Sequence, residues 1–248
     1  MKDTKDNFSE QSATYAQFRP GYPQELFDWL YTHCLHYDTA WDCATGNGQA
    51  AIKLSDKFKV VYATDISINQ LDNAMQIPNI IYSEGKAEEP EFADNSFDLV
   101  TTAQALHWFD HSLFFKAVQR VAKPGALFAG WGYNLPGVNP AINDILDNFY
   151  RNVVGPYWDA ERKYVDNEYR DIALPFEEIP CPGFGMSYHW TAEHMIGYLN
   201  SWSAVQHYIK KNRSNPTDMI KEQLSIVWGK EERMVTFPIF MRAGIIKK

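Results

Sequence analysis

Cysteine is scarce in this chain of 248 residues, with only Cys34, Cys43 and Cys181. Three thiols, widely spaced and without a CxxC pair, exclude a disulfide framework as the main source of stability and offer no zinc-ligand spacing. Long apolar runs are missing too, and nothing approaches the roughly 20 apolar residues that a membrane-spanning helix requires. The opening MKDTKDNFSEQ is polar and lacks the apolar centre of a signal peptide. Basic residues are outnumbered, 23 Lys and Arg against 31 Asp and Glu, for a formal net charge of −8. That balance disfavours a broad nucleic-acid footprint or an anionic membrane surface, while leaving room for a local basic pocket. Repeats and low-complexity tracts are absent as well. These shortages lead to the expectation of a cytoplasmic protein with reduced thiols and no metal, nucleic-acid or membrane partner.

What the chain has in quantity is core material, 45% hydrophobic and 15% aromatic residues, enough for one large domain or one domain with an insertion. The first half alternates two kinds of pattern. Strand-like runs are TAWDCA (39–44), KVVYATD (59–65), NIIYSE (79–84), FDLVTTA (97–103) and ALFAGWG (126–132). Helical periodicity falls between them, near Gln49–Ser55, Ile68–Met75 and Ser112–Val121, with KPG at 123–125 as a stop-and-turn signal. Such alternation predicts an α/β fold with a mostly parallel sheet and helices on both faces. The second half breaks the pattern at LPGVNP (135–140). It continues as a partly helical, charged and aromatic insertion (135–175), a strand-and-turn region (174–190), helical segments near 191–211 and 217–228, and a late strand, RMVTFPIFMRAG (233–244).

WDCATGNG, residues 41–48, lies at the carboxyl end of the first strand, where open parallel sheets bind ligands. Gly46 and Gly48 permit positive φ and a close approach of ligand to backbone. Asp65 ends the second strand and can accept both hydroxyls of an adenosine ribose. A pyrophosphate asks for GxGxxG, but only a relaxed GxGxxA ending at Ala51 is available. A carboxylate at Asp42, just before the loop, would repel a pyrophosphate and favour a cation. S-adenosylmethionine, with its ammonium and sulfonium and no phosphate, suits the loop better than a dinucleotide does.

WDCATGNGQAAIKL resembles the first motif of class I S-adenosylmethionine-dependent methyltransferases, with Ala44 where the family often has a glycine. YATDISINQLDNA is similar to the second motif, and GKAEEPEFADNSFDLVTTAQALHWF to the third and fourth motifs of the UbiE-like, type 11 branch. YAQFRPGYP, SWSAVQHY and FPIFMRAG resemble the subgroup of trans-aconitate methyltransferase-like proteins. The resemblance implies a Rossmann-like single domain over 1–248. Its parts would be an N-terminal lid and first helix (1–37), a cofactor-binding core (38–133), the substrate-side insertion (135–175) and a completion of the sheet with an antiparallel late strand (176–248).

By this resemblance Asp42, Ala44, Gly46, Asn47 and Gly48 line the methionine end of the cofactor, Asp65 holds the ribose and Ile66 packs on adenine. Relatives carry Asp-Ala-Glu after the third strand; here the run is Lys86-Ala87-Glu88. Lysine cannot accept a hydrogen bond from the adenine amino group, so the contact passes to the Ala87 backbone or to Glu88. Gln104 touches the methionine portion through its backbone. Tyr15, Arg19 and Tyr22 suggest a lid in which Arg19 pairs a carboxylate of cofactor or substrate. Trp108 would wall the acceptor pocket, and His107 is either a general base or the cap of a turn. Tyr133, Trp131, Trp190, Trp202 and Arg242 are weaker pocket candidates, and Tyr150, Arg151, Tyr157, Trp158 and Arg162 of the insertion offer aromatic walls and positive charge. The implied activity is methyl transfer to a small-molecule acceptor, a carboxylate among the candidates, with S-adenosylhomocysteine as product. An NAD-dependent oxidoreductase and a protein that binds S-adenosylmethionine without turnover remain the alternatives.

Overall fold

The computed structural model describes residues 20–248; Tyr15 and Arg19 of the expected lid lie outside them. The strands form where the sequence alternates: β1 (Thr39–Cys43), β2 (Val60–Asp65), β3 (Ile80–Glu84), β4 (Phe97–Ala103) and β5 (Ala122–Tyr133). They pair in parallel in the order β3-β2-β1-β4-β5. Between them run α1 (Gln24–Thr32, before β1), α2 (Gln49–Ser55), α3 (Ile68–Asp72) and α4 (His111–Val121).

Successive residues of a strand face opposite sides of a sheet, and here both sides are covered. Ala40, Leu99, Leu127 and Ala129 join one apolar cluster with Leu26, Phe27 and Leu30 of α1 and with Ala50 and Leu54 of α2. Their strand neighbours Trp41, Val100 and Phe128 join a second cluster with Phe114, Phe115, Val118 and Val121 of α4. Two-sided burial is why these strands read as nearly continuous apolar runs rather than alternating ones.

The second half closes the sheet. β6 (Glu177–Ile179) and β7 (Phe184–Trp190) both pair antiparallel with β8 (Arg233–Ile245). The second half of β8 runs antiparallel to β5, from Leu127↔Ile245 to Tyr133↔Ile239, giving one mixed sheet of eight strands. The insertion holds α5 (Pro140–Asn148), a π-turn (Phe149–Val153), a 3₁₀ turn (Gly155–Tyr157) and α6 (Arg162–Asp166). α5 starts where Asn139 accepts from the Ile142 amide and Pro140 takes a position whose missing N–H is no loss. α7 (Ala192–Asn200), α8 (Ser203–Asn212) and α9 (Asp218–Trp228) pack behind. No helix among the described residues is long and apolar enough to cross a membrane.

Some boundaries differ from the sequence reading. β5 begins at Ala122, so KPG is a bulge inside the strand: pairing jumps from Phe97↔Ala122 to Leu99↔Leu127, and Gly125 adopts φ +80°. The helix expected to reach Met75 stops at Asp72 because Asn73 and Ala74 bond back three residues, to Gln70 and Leu71, tightening the last turn. The helical region 191–211 divides at Ser201 and Trp202, whose amides likewise bond three residues back.

Candidate functional site

The loop after β1 is built from left-handed residues: Ala44 at φ +54°, Gly46 at +58° and Gly48 at +87°. The Thr45 amide donates to the Thr64 carbonyl at 2.9 Å, and the Gly46 amide donates to Asp65 Oδ2 at 2.8 Å. Asp65 Oδ1 accepts from the Ser67 amide at 2.9 Å. One carboxylate thus joins the β1 loop to the end of β2 and is held in a single orientation. Gly48 opens α2, and a Cβ there would lie 2.3 Å from the Tyr82 hydroxyl. Gly48→Ala is therefore expected to destabilise by about 1–2 kcal/mol from the left-handed backbone alone. Thermal denaturation should show a loss of roughly 2–4 °C per kcal/mol, and an unchanged midpoint would mean that Tyr82 and the loop yield freely.

Asp42 does not line the cavity, contrary to its expected place at the methionine end. It is 1% exposed and sits beneath the loop, with Oδ1 accepting from Thr101 Oγ1 at 2.8 Å and Oδ2 from Thr45 Oγ1 at 2.5 Å. Burial pushes its pKa up from 3.8 to about 6, against the opposing pull of the two hydroxyls and the Ala51 amide. The native state then binds more protons than the unfolded chain between pH 3.8 and about 6. Asp42 favours folding below that window, and its contribution is lost as pH rises through it, at up to about 1.4 kcal/mol per pH unit. Wild type should lose stability relative to Asp42→Asn between pH 4 and 6, with no further divergence above about pH 7. Denaturant titrations of both proteins across that range check this, and parallel curves would show that Asp42 stays ionised.

The cavity, about 1780 Å³ with its open mouth, lies at the carboxyl ends of β1, β2, β4 and β5. Ala44, Gly46, Asp65 and Ile66 form one wall, and Ala87, Glu88, Gln104, His107 and Trp108 the next. Asn47 and Gly48 stay in the loop outside the lining. Glu88 Oε1 accepts from the Asp110 amide at 2.9 Å, while Lys86 is exposed on the same wall. Gln104, at φ +55°, extends the β4–β5 pairing with its side chain: Oε1 accepts from the Tyr133 amide at 2.8 Å, and Nε2 donates to the Tyr133 carbonyl at 3.3 Å. Gly132 makes room, since a Cβ there would lie 2.6 Å from Gln104 Oε1.

His107 and Trp108 share a one-turn helix, Leu106–Trp108, with ring centroids 4.6 Å apart. His107 is 5% exposed, and its Nδ1 lies 3.2 Å from the Tyr169 hydroxyl. No pattern in the sequence singles out Tyr169. The insertion and the helices after it supply the far wall, where Trp158, Arg162, Tyr198 and Trp202 face the cavity together with Asp159 and Glu161. Of the weaker candidates, Tyr133 and Trp202 line the cavity, whereas Trp131 and Trp190 are core residues. Arg242 is structural: it pairs with both oxygens of Glu178 and donates to the carbonyls of Tyr169 and Ile172. Tyr22 of the lid cluster packs edge-on against Trp131, 5.5 Å between centroids.

Arg162 is the cation of that far wall. Its Nε donates to Tyr150 Oη at 2.8 Å and to Asp166 Oδ1 at 3.2 Å, and its plane lies 4.6 Å from the Trp158 ring centroid. Its terminal nitrogens make no hydrogen bond among the described residues. The Trp158 indole Nε1 is also buried without a partner among them.

Comparison with known proteins extends the picture beyond the site. A family model described as a methyltransferase domain matches residues 41–130. The chain is 33% identical over 245 residues to a protein described as a methyltransferase from Dictyostelium discoideum, covering 95% of this chain and 93% of that one. A solved structure described as a type II methyltransferase from Anaeromyxobacter dehalogenans superposes with a TM-score of 0.85 at 35% identity, covering 93% of this chain and 99% of the other. The YcgJ protein of Bacillus subtilis, at 16% identity and a TM-score of 0.53 over 90% and 98% of the two chains, shares the fold alone. With this likeness running through the insertion and the late strands as well as the glycine loop, the chain belongs to the class I methyltransferase family and has its Rossmann-like fold.

Proposed function

We propose that this protein transfers a methyl group from S-adenosylmethionine to a small molecule bearing a carboxylate. The observation that carries this reading is a single cavity with a fixed carboxylate, Asp65, on one wall and a guanidinium, Arg162, on the other.

The first wall fits the cofactor. Asp65 is only 9% exposed, yet it borders the cavity. A carboxylate can accept about four hydrogen bonds, and one held at the cavity's edge by the Gly46 and Ser67 amides suits a ribose diol. Ile66, Ala87 and Leu113 give apolar surface beside it for adenine. Asp42 beneath the loop favours a cationic ligand over a pyrophosphate when ionised. When bound, S-adenosylmethionine supplies an electrophilic methyl on a sulfonium, whose sulfur keeps the C–S electron pair to give S-adenosylhomocysteine.

The chain's own residues supply alignment and dryness. Arg162 can hold a carboxylate through its terminal N–H pair, with the Trp158 indole as a further donor. Trp202 and Tyr198 keep water from the reacting groups. An ionised carboxylate oxygen already has the lone pair for the new O–C bond, so no proton has to leave and no base is required. Holding acceptor and methyl in line is the main catalytic contribution.

Calorimetric titration with S-adenosylmethionine, S-adenosylhomocysteine and NAD, followed by methyl release across a set of carboxylic acids, tests this. Binding of the first two without NAD, and methylation of an acid, are the expected results. Binding of NAD alone would make the protein an oxidoreductase. S-adenosylmethionine binding with no methyl release to any acceptor would make it a binding protein.

A further inference from the structure

Methyl transfer to an ionised acceptor leaves Tyr169 without a task, yet the insertion places it under strain. Glu168 and Tyr169 are consecutive non-glycine residues at φ +54° and +59°, a conformation that L side chains adopt only when their surroundings enforce it. The surroundings are specific. The Tyr169 amide donates to the Tyr164 carbonyl at 2.7 Å, and Arg242 Nη1 donates to the Tyr169 carbonyl at 2.8 Å. Phe240 packs edge-on against the ring at 4.9 Å. The result is a fully buried phenol whose oxygen meets the short helix carrying His107.

Counting protons at that oxygen decides its chemistry. Among the described residues, the one hydrogen-bond partner of that oxygen is His107 Nδ1, at 3.2 Å. A phenol has two acceptor sites and one proton, and burial holds that proton on, raising the pKa of Tyr169. A buried donor without an acceptor is tolerated less than a spare lone pair, and His107 Nδ1 is the only acceptor in reach among the described residues, so the hydroxyl gives its proton to it. An Nδ1 that accepts is unprotonated, so neutral His107 carries its hydrogen on Nε2.

We propose that Tyr169 is a positioning residue that locks His107 in the Nε2–H tautomer, so that His107 meets the acceptor as a hydrogen-bond donor and not as a base. The donor half rests on the acceptor binding in this cavity, which His107 lines. A donor is what an ionised oxygen can use, because a base would find no proton there to take. The tautomer half stands on the Tyr169 contact alone.

The two halves are tested separately. Long-range ¹H–¹⁵N correlation spectra at neutral pH report each imidazole tautomer, and the His107 signals among the seven histidines are those lost in His107→Gln. Protonated Nε2 with bare Nδ1 in the wild-type protein is expected, with a mixture of tautomers in Tyr169→Phe. Nδ1–H in the wild type overturns the proposal, whether or not the Phe variant folds and whatever the protein methylates.

Turnover of an acid acceptor then tests the donor role. The Gln side-chain amide can reproduce an Nε2–H, so His107→Gln should keep kcat/KM within about tenfold, with no acid limb in the wild-type pH profile near the histidine range. A loss of roughly 100-fold or more, the scale of a removed base, together with a wild-type rate that falls as histidine protonates, overturns it. Wild-type failure to methylate any acid sinks the acceptor reading and the donor role with it, while the tautomer remains decided by the spectra.

Discussion

Asp65→Ala should weaken binding of S-adenosylmethionine and S-adenosylhomocysteine by roughly 10–100-fold, about 1.4–2.7 kcal/mol. Charge-assisted hydrogen bonds contribute about 1.5–3 kcal/mol each when well placed, and the ribose diol offers up to two. Solvent at the open mouth and the strain of the bound ligand reduce the sum. The substitution acts twice, because the amides of Gly46 and Ser67 also lose their acceptor and the loop that shapes the cavity loosens. Asp65→Asn keeps one acceptor oxygen and should fall between wild type and alanine. Calorimetry on the three proteins gives the answer, and equal affinities would remove Asp65 from the cofactor site.

Arg162→Ala should lower kcat/KM for a carboxylic acid acceptor by roughly 30–100-fold, about 2–2.7 kcal/mol, while leaving S-adenosylhomocysteine affinity unchanged. The side chain is 17% exposed and pre-positioned: Tyr150 and Asp166 hold its Nε and Trp158 its face. Little side-chain freedom remains to be lost on binding, which raises the value of each bond made. Asp166, at 3.2 Å, neutralises part of the charge, and this keeps the expected effect below that of an isolated buried ion pair. Arg162→Lys should recover little, since an ammonium has neither the planar fork nor the stacking surface. Asp159 and Glu161 on the same wall define the opposite outcome. If an amine is methylated as well by the alanine variant as by wild type, the acceptor is cationic and Arg162 only supports the wall.

The sequence alone determined the alternation of strand and helix, the parallel half of the sheet and the place of the glycine loop. These are local matters, carried by apolar periodicity within single segments and by glycines where the chain turns left-handed. Asp65 was legible for the same reason, since a strand that ends on an acid beside a glycine loop is a short-range pattern. The late strand was legible too, but its pairing with β5, β6 and β7 depends on partners that no local pattern names.

Tertiary structure decided the rest, because it concerns residues far apart in the chain or small differences in depth. Asp42 and Asp65 both lie near the carboxyl ends of their strands, yet Asp42 is enclosed by Thr45 and Thr101 beneath the loop, while Asp65 reaches the cavity. Trp131 and Tyr133 stand two apart on β5 and belong to the same cluster. Only Tyr133, nearer the strand's carboxyl end, borders the cavity. The contact between Tyr169 and His107 spans 62 residues, and Arg162 becomes a cavity residue only when the insertion folds over the strand ends. Periodicity tells which side of an element is buried. How far along the element a ligand lies, and which distant side chain meets it there, is decided by the packing of the elements against one another.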